Sequence, residues 1–206
     1  MSNKIDNISC FLLAGGQSKR FGHNKALIQI GGERLIDIII KKLSEVFPEV
    51  FLITTPQNSY RDIQIKKLFD IIPDKGSLGG VYTGLVESKT SHSFFFACDM
   101  PFINVELIEY MKKVKLDYDL LIPRTEKGLQ PLHAVYSKAC IPHIKKLIDE
   151  NNFKILDFFD RVKVEYIREE ICRKFDPEGR IFLNINTPDD LKIAEKKIYN
   201  MVQKLK

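Results

Sequence analysis

The sequence predicts an α/β fold built on a mostly parallel sheet with a short antiparallel excursion. Short apolar runs alternate with segments whose apolar residues recur at helical spacing, an order typical of parallel strands joined by helices. The runs at 120–122 and 132–136 depart from this order, because the segment between them is too short for a helix. We expect these two runs to form the antiparallel excursion.

The elements can be assigned in chain order. Buried strands are predicted for the apolar runs 8–14, 50–54, 94–98, 120–122, 132–136 and 181–183. Helical spacing predicts helices within 35–46 and 107–114, and a glycine-rich turn at 76–80 opens another helix. A closing helix is predicted from the residues at its start. Thr187 suits an N-cap, Pro188 suits the first helical position, and Asp189 suits the first turn, where acidic residues are favoured. Without a repeat or a linker, we expect a single domain over residues 1–206.

Composition narrows the classes of function. The chain has 206 residues, of which 44% are hydrophobic and 29% are charged, and its longest apolar runs are too short for a membrane helix. The start MSNKIDN lacks a signal-peptide core, so a cytoplasmic location and no membrane partner are expected. The net charge of +5 is spread over helix-like stretches, which favours an anionic small substrate over a nucleic acid. The four cysteines match no metal-binding spacing and are expected to be reduced core thiols.

A glycine pair follows the first predicted strand. Gly15 and Gly16 stand at its carboxyl end, where open α/β sheets bind ligands and where glycine allows close approach of the backbone. Ser18, Arg20 and Lys25 follow as donors to phosphate oxygens. Neither the Walker A pattern nor G-x-G-x-x-G is present, so a phosphate-binding loop and a solvated basic turn both fit this stretch alone.

Two further features favour a phosphate ligand. Asp99 ends the apolar run 94–98, and a carboxylate there can hold the magnesium ion of a polyphosphate, although a capping role fits as well. The turn at 76–80, preceded by Asp74, opens a helix whose N-terminus suits an anion, although an ordinary loop fits as well.

These features together resemble the molybdenum cofactor guanylyltransferase (MobA) family of nucleotidyltransferases. The family pattern L-A-G-G-x-S-x-R-M-G-x-D-K is similar to LAGGQSKRFGHNK at 13–25. Four later motifs are GSLGG at 76–80, CDMPFI at 98–103, QPLHA at 130–134 and NINTPDDL at 184–191. They resemble the family's G-P-L-A-G, C-D-x-P-[FY]-I, Q-P-L-x-A and N-I-N-T-P-E-D-L, so the likeness covers nearly the whole chain.

The resemblance implies a Rossmann-like three-layer nucleotidyltransferase fold and a reaction with GTP. It implies that GMP is transferred to the terminal phosphate of molybdopterin, with Mg²⁺ as cofactor and with other molybdenum cofactor biosynthesis or acceptor proteins as further partners. The catalytic residues implied are Lys25, Arg20 and Asp99, with Asp99 also holding the metal. The nucleotide-binding residues implied are Leu13, Ala14, Gly15, Gly16, Ser18, Lys25, Thr54, Asp74 and Asp99. The pterin-facing residues implied are Gly80, Asn184 and Asn186.

Several positions depart from the family pattern. Thr54 stands where the family has an asparagine, and Asn24 stands where it has an aspartate. His133 replaces an aromatic residue, and a strand histidine is favoured there over one that faces the pterin. The alternatives that stay open are a cytidylyltransferase of the same cofactor, a sugar-phosphate nucleotidyltransferase, and a non-enzymatic nucleotide-binding or cofactor-delivery protein.

Overall fold

A computed structural model describes residues 8–15, 24–58 and 60–204, with the backbone alone from residue 199 onward. The strands in these residues are β1 (Ser9–Leu13), β2 (Gln29–Ile30), β3 (Glu33–Arg34), β4 (Val50–Thr54), β5 (Lys66–Phe69), β6 (His92–Ala97), β7 (Leu120–Thr125), β8 (Gly128–Leu129), β9 (His133–Ser137) and β10 (Val164–Arg168). The α-helices are α1 (Leu35–Ser44), α2 (Gly76–Glu87), α3 (Val105–Lys112), α4 (Ile141–Asp149), α5 (Glu169–Phe175) and α6 (Pro188–Lys204). No helix in the described part of the chain is long and apolar enough to cross a membrane.

One mixed sheet of eight strands organises the molecule. Its order is β10-β7-β9-β6-β1-β4-β5, with β8 paired to β7, while β2 and β3 form a separate antiparallel pair. β1 is parallel to β4 and β6, and β9 runs antiparallel to both β6 and β7. The predicted mostly parallel sheet and its antiparallel excursion are therefore confirmed.

Two hydrophobic cores lie on opposite faces of the sheet. Alternate strand residues point to opposite faces, so Leu12 and Phe94 join one core while Phe11 and Phe95 join the other. The first core packs under α1 and α3, and the second under α2 and α4. This arrangement gives the three-layer architecture that the resemblance implies.

The predicted strand at 181–183 is wrong. Leu183 N donates to Arg180 O at 2.8 Å, which makes this segment a turn. The turn is held by the Asp176 carboxylate, which accepts hydrogen bonds from the backbone N–H groups of Arg180 and Ile181. Ile181 is buried without strand pairing, so its apolar character reflects core packing.

Among the strands that the sequence patterns missed, β5 and β10 were missed because they form the edges of the sheet, and β2, β3 and β8 are only two residues long. β5 and β10 each have one strand neighbour, and both carry charged residues such as Lys66 and Glu165. Edge strands need little apolar surface, so a search for apolar runs passes over them. All four cysteines are free thiols; Cys10, Cys140 and Cys172 are buried, whereas Cys98 is half-buried.

Candidate nucleotide-binding site

A cavity of about 240 Å³ opens at the carboxyl edge of the sheet. It lies where β1 and β6 end side by side, and the start of α2 closes one side of it. Its lining consists of Leu13, Ala14, Gly15, Asn24, Lys25, Gly76, Ser77, Ala97, Cys98 and Asp99. The first predicted motif, the Asp99 motif and the glycine turn thus meet at one place.

Asp99 presents a carboxylate to this cavity. Its Oδ1 is buried and has no hydrogen-bond partner among the described residues, while its Oδ2 lies 4.0 Å from Lys25 Nζ. Burial raises the pKa of Asp99 above its usual value, and the charge of Lys25 opposes that rise. A buried carboxylate oxygen without a donor is unfavourable, and a bound cation would remove that cost.

Lys25 lies between Asp99 and the segment that precedes α6. Its Nζ donates to Asn186 Oδ1 at 2.7 Å. In the same segment, Ile185 N donates to Asp99 O at 2.9 Å. The first and last motifs of the sequence are therefore joined directly at the cavity.

The start of α6 fixes the position of Asn186. The Asp190 carboxylate accepts hydrogen bonds from Asn186 N at 2.9 Å and from Thr187 N at 2.8 Å. Asp190 N in turn donates to Thr187 Oγ1, which is the reciprocal arrangement of a capping box. Asn184 lies two residues earlier in the same half-buried turn.

A second carboxylate, Asp70, was missed by the sequence patterns. It follows β5 directly, and a Cβ built on Gly15 would lie 3.5 Å from Asp70 Oδ2. Its Oδ1 is buried and unpartnered within the described ranges. Burial, reinforced by the charge of Asp74, raises the pKa of Asp70 to about 6. Like Asp99, Asp70 is an aspartate at the end of a strand, and this could have indicated it. It was not found because β5 carries charged residues and was not predicted as a strand.

Other predicted residues lie outside the cavity lining. Thr54 is fully buried and its hydroxyl donates to Asn58 O at 2.9 Å. Gly80 is buried within α2, where an added Cβ would approach Leu13 Cδ2 to 2.8 Å. Asp74 is exposed in the turn before α2, with a positive φ of 61°. Their ligand contacts stay predictions.

Three predicted residues cannot be placed, since Gly16, Ser18 and Arg20 lie outside the described residues. His133 is fully buried in β9, against the edges of Phe94, Phe96 and Phe182. Burial lowers the pKa of His133 to about 3, so it is a neutral strand histidine, the favoured interpretation of its position.

The residues described contain no cluster of three or more His, Cys, Asp or Glu side chains that could hold a metal ion. Such a cluster is not required where the substrate supplies ligands, because Mg²⁺ is commonly held by one or two carboxylates together with phosphate oxygens. The unpartnered oxygen of Asp99 fits that mode of binding.

Comparison with known proteins agrees with this geometry. A model of the MobA-like NTP transferase domain matches residues 10–163. A protein named probable molybdenum cofactor guanylyltransferase from Natranaerobius thermophilus is 37% identical over 93% of this chain and 96% of its own length. A protein of the same name from Pelotomaculum thermopropionicum is 38% identical over 87% and 88% of the two chains.

A solved structure of similar shape extends the match to three dimensions. Molybdopterin-guanine dinucleotide biosynthesis protein A from Archaeoglobus fulgidus aligns with a TM-score of 0.84 at 29% identity, covering 94% of this chain and all of the other. The chain belongs to the MobA-like NTP transferase family and is a nucleotidyltransferase.

Proposed function

We propose that this chain transfers GMP from GTP to the terminal phosphate of molybdopterin. An oxygen of the acceptor phosphate forms the new bond to the α-phosphorus, the bond from that phosphorus to the β-phosphate oxygen breaks, and pyrophosphate leaves. The observation that carries the proposal is that Lys25 and Asp99 line one cavity side by side, with Lys25 also donating to Asn186. The names of the relatives support guanine and molybdopterin as the substrates.

On the nucleotide side, the backbone of Leu13, Ala14 and Gly15 is proposed to contact the guanine. Asp70 lies behind Gly15 with an unpartnered buried oxygen, which suits an N–H or O–H donor of the nucleoside. Asp74, which raises the pKa of Asp70, is proposed as a more exposed nucleoside contact. Thr54 is a weaker candidate, because its hydroxyl hydrogen is already donated to Asn58.

The phosphates are proposed to bind between the glycine segment and α2. Gly76 and Ser77 line the cavity, and no side chain caps the start of α2, so backbone N–H groups remain for an anion. Gly16, Ser18 and Arg20 are proposed as further donors to the phosphate oxygens. Lys25 is proposed to stabilise the charge that develops as pyrophosphate departs.

Asp99 is proposed to hold the divalent cation, which we take to be Mg²⁺. When bound, the cation would neutralise phosphate charge, since phosphoryl-type transfer depends mainly on positioning and electrostatic stabilisation. The carboxylate is already placed beside Lys25, whose charge partly offsets the cost of its burial. The chain's own part is to hold that carboxylate rigidly at the end of β6.

Asn184 and Asn186 are proposed to face the acceptor. Asn186 already accepts from Lys25, so an acceptor phosphate bound there would lie close to the group that stabilises the reaction. Gly80 is proposed to act indirectly, because its lack of a side chain lets α2 pack against Leu13 at the cavity wall.

The metal role is tested by Asp99→Asn. We expect this variant to keep the fold, because the amide matches the carboxylate in shape and removes a charge whose burial is unfavourable, but to lose nearly all transfer of GMP to molybdopterin. Turnover is measured over a range of MgCl₂ concentrations, with Asp160→Asn, an exposed aspartate, as control. Transfer by Asp99→Asn with the magnesium dependence of the unmodified protein would refute the assignment.

A further inference from the structure

The hydroxyl of Tyr60 joins two residues that border the predicted phosphate-binding segment. It donates to Ala14 O at 3.0 Å and accepts a hydrogen bond from Asn24 Nδ2 at 2.8 Å. Tyr60 itself is 6% exposed, and its bond to Ala14 O is buried, whereas its contact with Asn24 is partly buried. Ala14 directly follows β1 and Asn24 directly precedes Lys25, although the two are separated in the chain by residues 15–23.

The orientation of the Asn24 amide is fixed from its other side. Its Oδ1 accepts from Ala26 N at 3.1 Å, which caps the short 3₁₀ helix Lys25–Leu27. Both ends of the amide lie within hydrogen-bond distance of the Tyr60 hydroxyl, with Nδ2 at 2.8 Å and Oδ1 at 3.1 Å, and the donor Nδ2 is the nearer. The hydroxyl hydrogen is then available for Ala14 O. Ala14 O and Asn24 Oδ1 share this hydrogen as acceptors at 3.0 and 3.1 Å, and Asn24 in turn caps the short helix that begins at Lys25.

The backbone of Tyr60 adopts an unfavourable conformation to make this contact. Its φ of 42° lies in the left-handed region, which side chains with a Cβ rarely occupy. Such a conformation persists only where the surroundings impose it, and it is concentrated at functional sites. Here Ile63 N donates to Tyr60 O at 3.0 Å and closes a turn around the residue.

We propose that Tyr60 is a positioning residue for Lys25, acting through Asn24, and for the start of the nucleotide-binding segment, acting through Ala14. It contacts neither the reacting atoms nor the substrates. Removal of the hydroxyl would leave the Asn24 amide and Ala14 O without their shared partner, and Lys25 would lose its defined place beside Asp99. This inference rests on the proposed function, because it assigns Tyr60 to the same reaction.

The test compares Tyr60→Phe with the unmodified protein. We expect kcat/KM for GTP, with molybdopterin and Mg²⁺ present, to fall by about 10-fold or more, because small displacements of a catalytic group are costly. Most of the loss should lie in kcat, while calorimetric titration with GTP still gives one site per chain. One site per chain shows that the protein is folded, so lost activity then reflects positioning.

Tyr118→Phe is the matched control. Tyr118 is also buried, but its hydroxyl has no partner in the part of the chain that the structure describes, so its removal should leave kcat/KM unchanged. Wild-type kcat/KM in Tyr60→Phe would overturn the proposal. An inactive unmodified protein would instead refute the proposed function, which keeps the two failures distinct.

A double-mutant cycle with Asn24→Ala tests the path to Lys25. If Tyr60 acts on Lys25 through Asn24, the loss in the double variant should be smaller than the product of the two single losses, and any loss beyond that of Asn24→Ala reflects the contact with Ala14. Losses that multiply would contradict that path. Should Tyr60→Phe fail to fold, Asn24→Ala alone carries the test, with the same expected fall in kcat and wild-type turnover as the contradicting result.

Discussion

Two half-buried carboxylates lie near the cavity with different surroundings. Asp99 is 4.0 Å from the ammonium group of Lys25, whereas Asp70 is influenced by the like charge of Asp74. Each has one oxygen without a partner among the described residues. The two are therefore suited to different ligands: Asp99 to a cation that also binds phosphate oxygens, and Asp70 to a donor group of the nucleoside.

Lys25→Ala tests the role of the lysine ammonium group. We expect a loss of at least ~2 kcal/mol of transition-state stabilisation, mainly as a fall in kcat, because one preorganised donor is removed. Lys66→Ala, at an exposed salt bridge with Glu49 on the edge strand, is the control for loss of positive charge. If GTP affinity fell equally and turnover did not change, Lys25 would be a binding residue only.

Asp70→Asn tests whether the charged carboxylate of Asp70, which is proposed to bind the nucleoside, lowers the stability of the folded protein. Its pKa of about 6 exceeds the unfolded value, so its contribution to stability decreases as pH rises from about 4 through 6. The variant should gain about 1–2 kcal/mol in unfolding free energy at pH 8, and the gain should vanish near pH 4. Urea unfolding at both pH values measures this.

The same variant should bind GTP more weakly, because an amide presents only one acceptor oxygen and introduces donors. Titration of GTP into Asp70→Asn and Asp160→Asn compares the site with an exposed aspartate elsewhere. Higher stability with unchanged GTP affinity would remove Asp70 from the proposed nucleoside contacts.

At the scale of elements, α2 packs on the sheet through its glycines. A Cβ at Gly84 would lie 2.5 Å from Phe95 Cε1 and 3.0 Å from Ile53 Cδ1, both in the second core. Gly80 makes a similar approach to Leu13. The glycine turn that the sequence indicated as a phosphate site therefore has two uses: its first residues line the cavity, and later ones bring α2 close to the sheet.

Gly84→Ala should destabilise the protein by about 1–3 kcal/mol, because the added methyl group overpacks a rigid aromatic core. Chemical denaturation measures this, with Val86→Ala on the exposed side of α2 as control. Stability equal to that of the unmodified protein would show that α2 can move away from β1. The helix would then not be a fixed wall of the cavity.

Across the whole molecule, the central strands of the sheet were predicted from the sequence more successfully than its edge strands. The inner strands β1, β4 and β6 are continuous apolar runs and were identified, whereas β5 and β10 carry the charges of edge strands. Asp99 was found because its strand was found, and Asp70 was missed because its strand was missed.

The contacts between distant segments could not be predicted from local patterns. The hydrogen bond from Lys25 to Asn186 and the one from Tyr60 to Ala14 each join residues far apart in the chain. Their existence depends on the order of strands in the sheet and on the turn before α6. A single domain over 1–206 stays a prediction.

The use of GTP and molybdopterin by this nucleotidyltransferase can be measured in a single assay. The most direct measurement incubates the purified chain with molybdopterin, Mg²⁺ and α-labelled GTP or CTP, and follows label in the pterin product together with pyrophosphate. We expect labelled product and an equal amount of pyrophosphate from GTP, and little of either from CTP. Incorporation from CTP alone, or nucleotide binding without transfer, would contradict it.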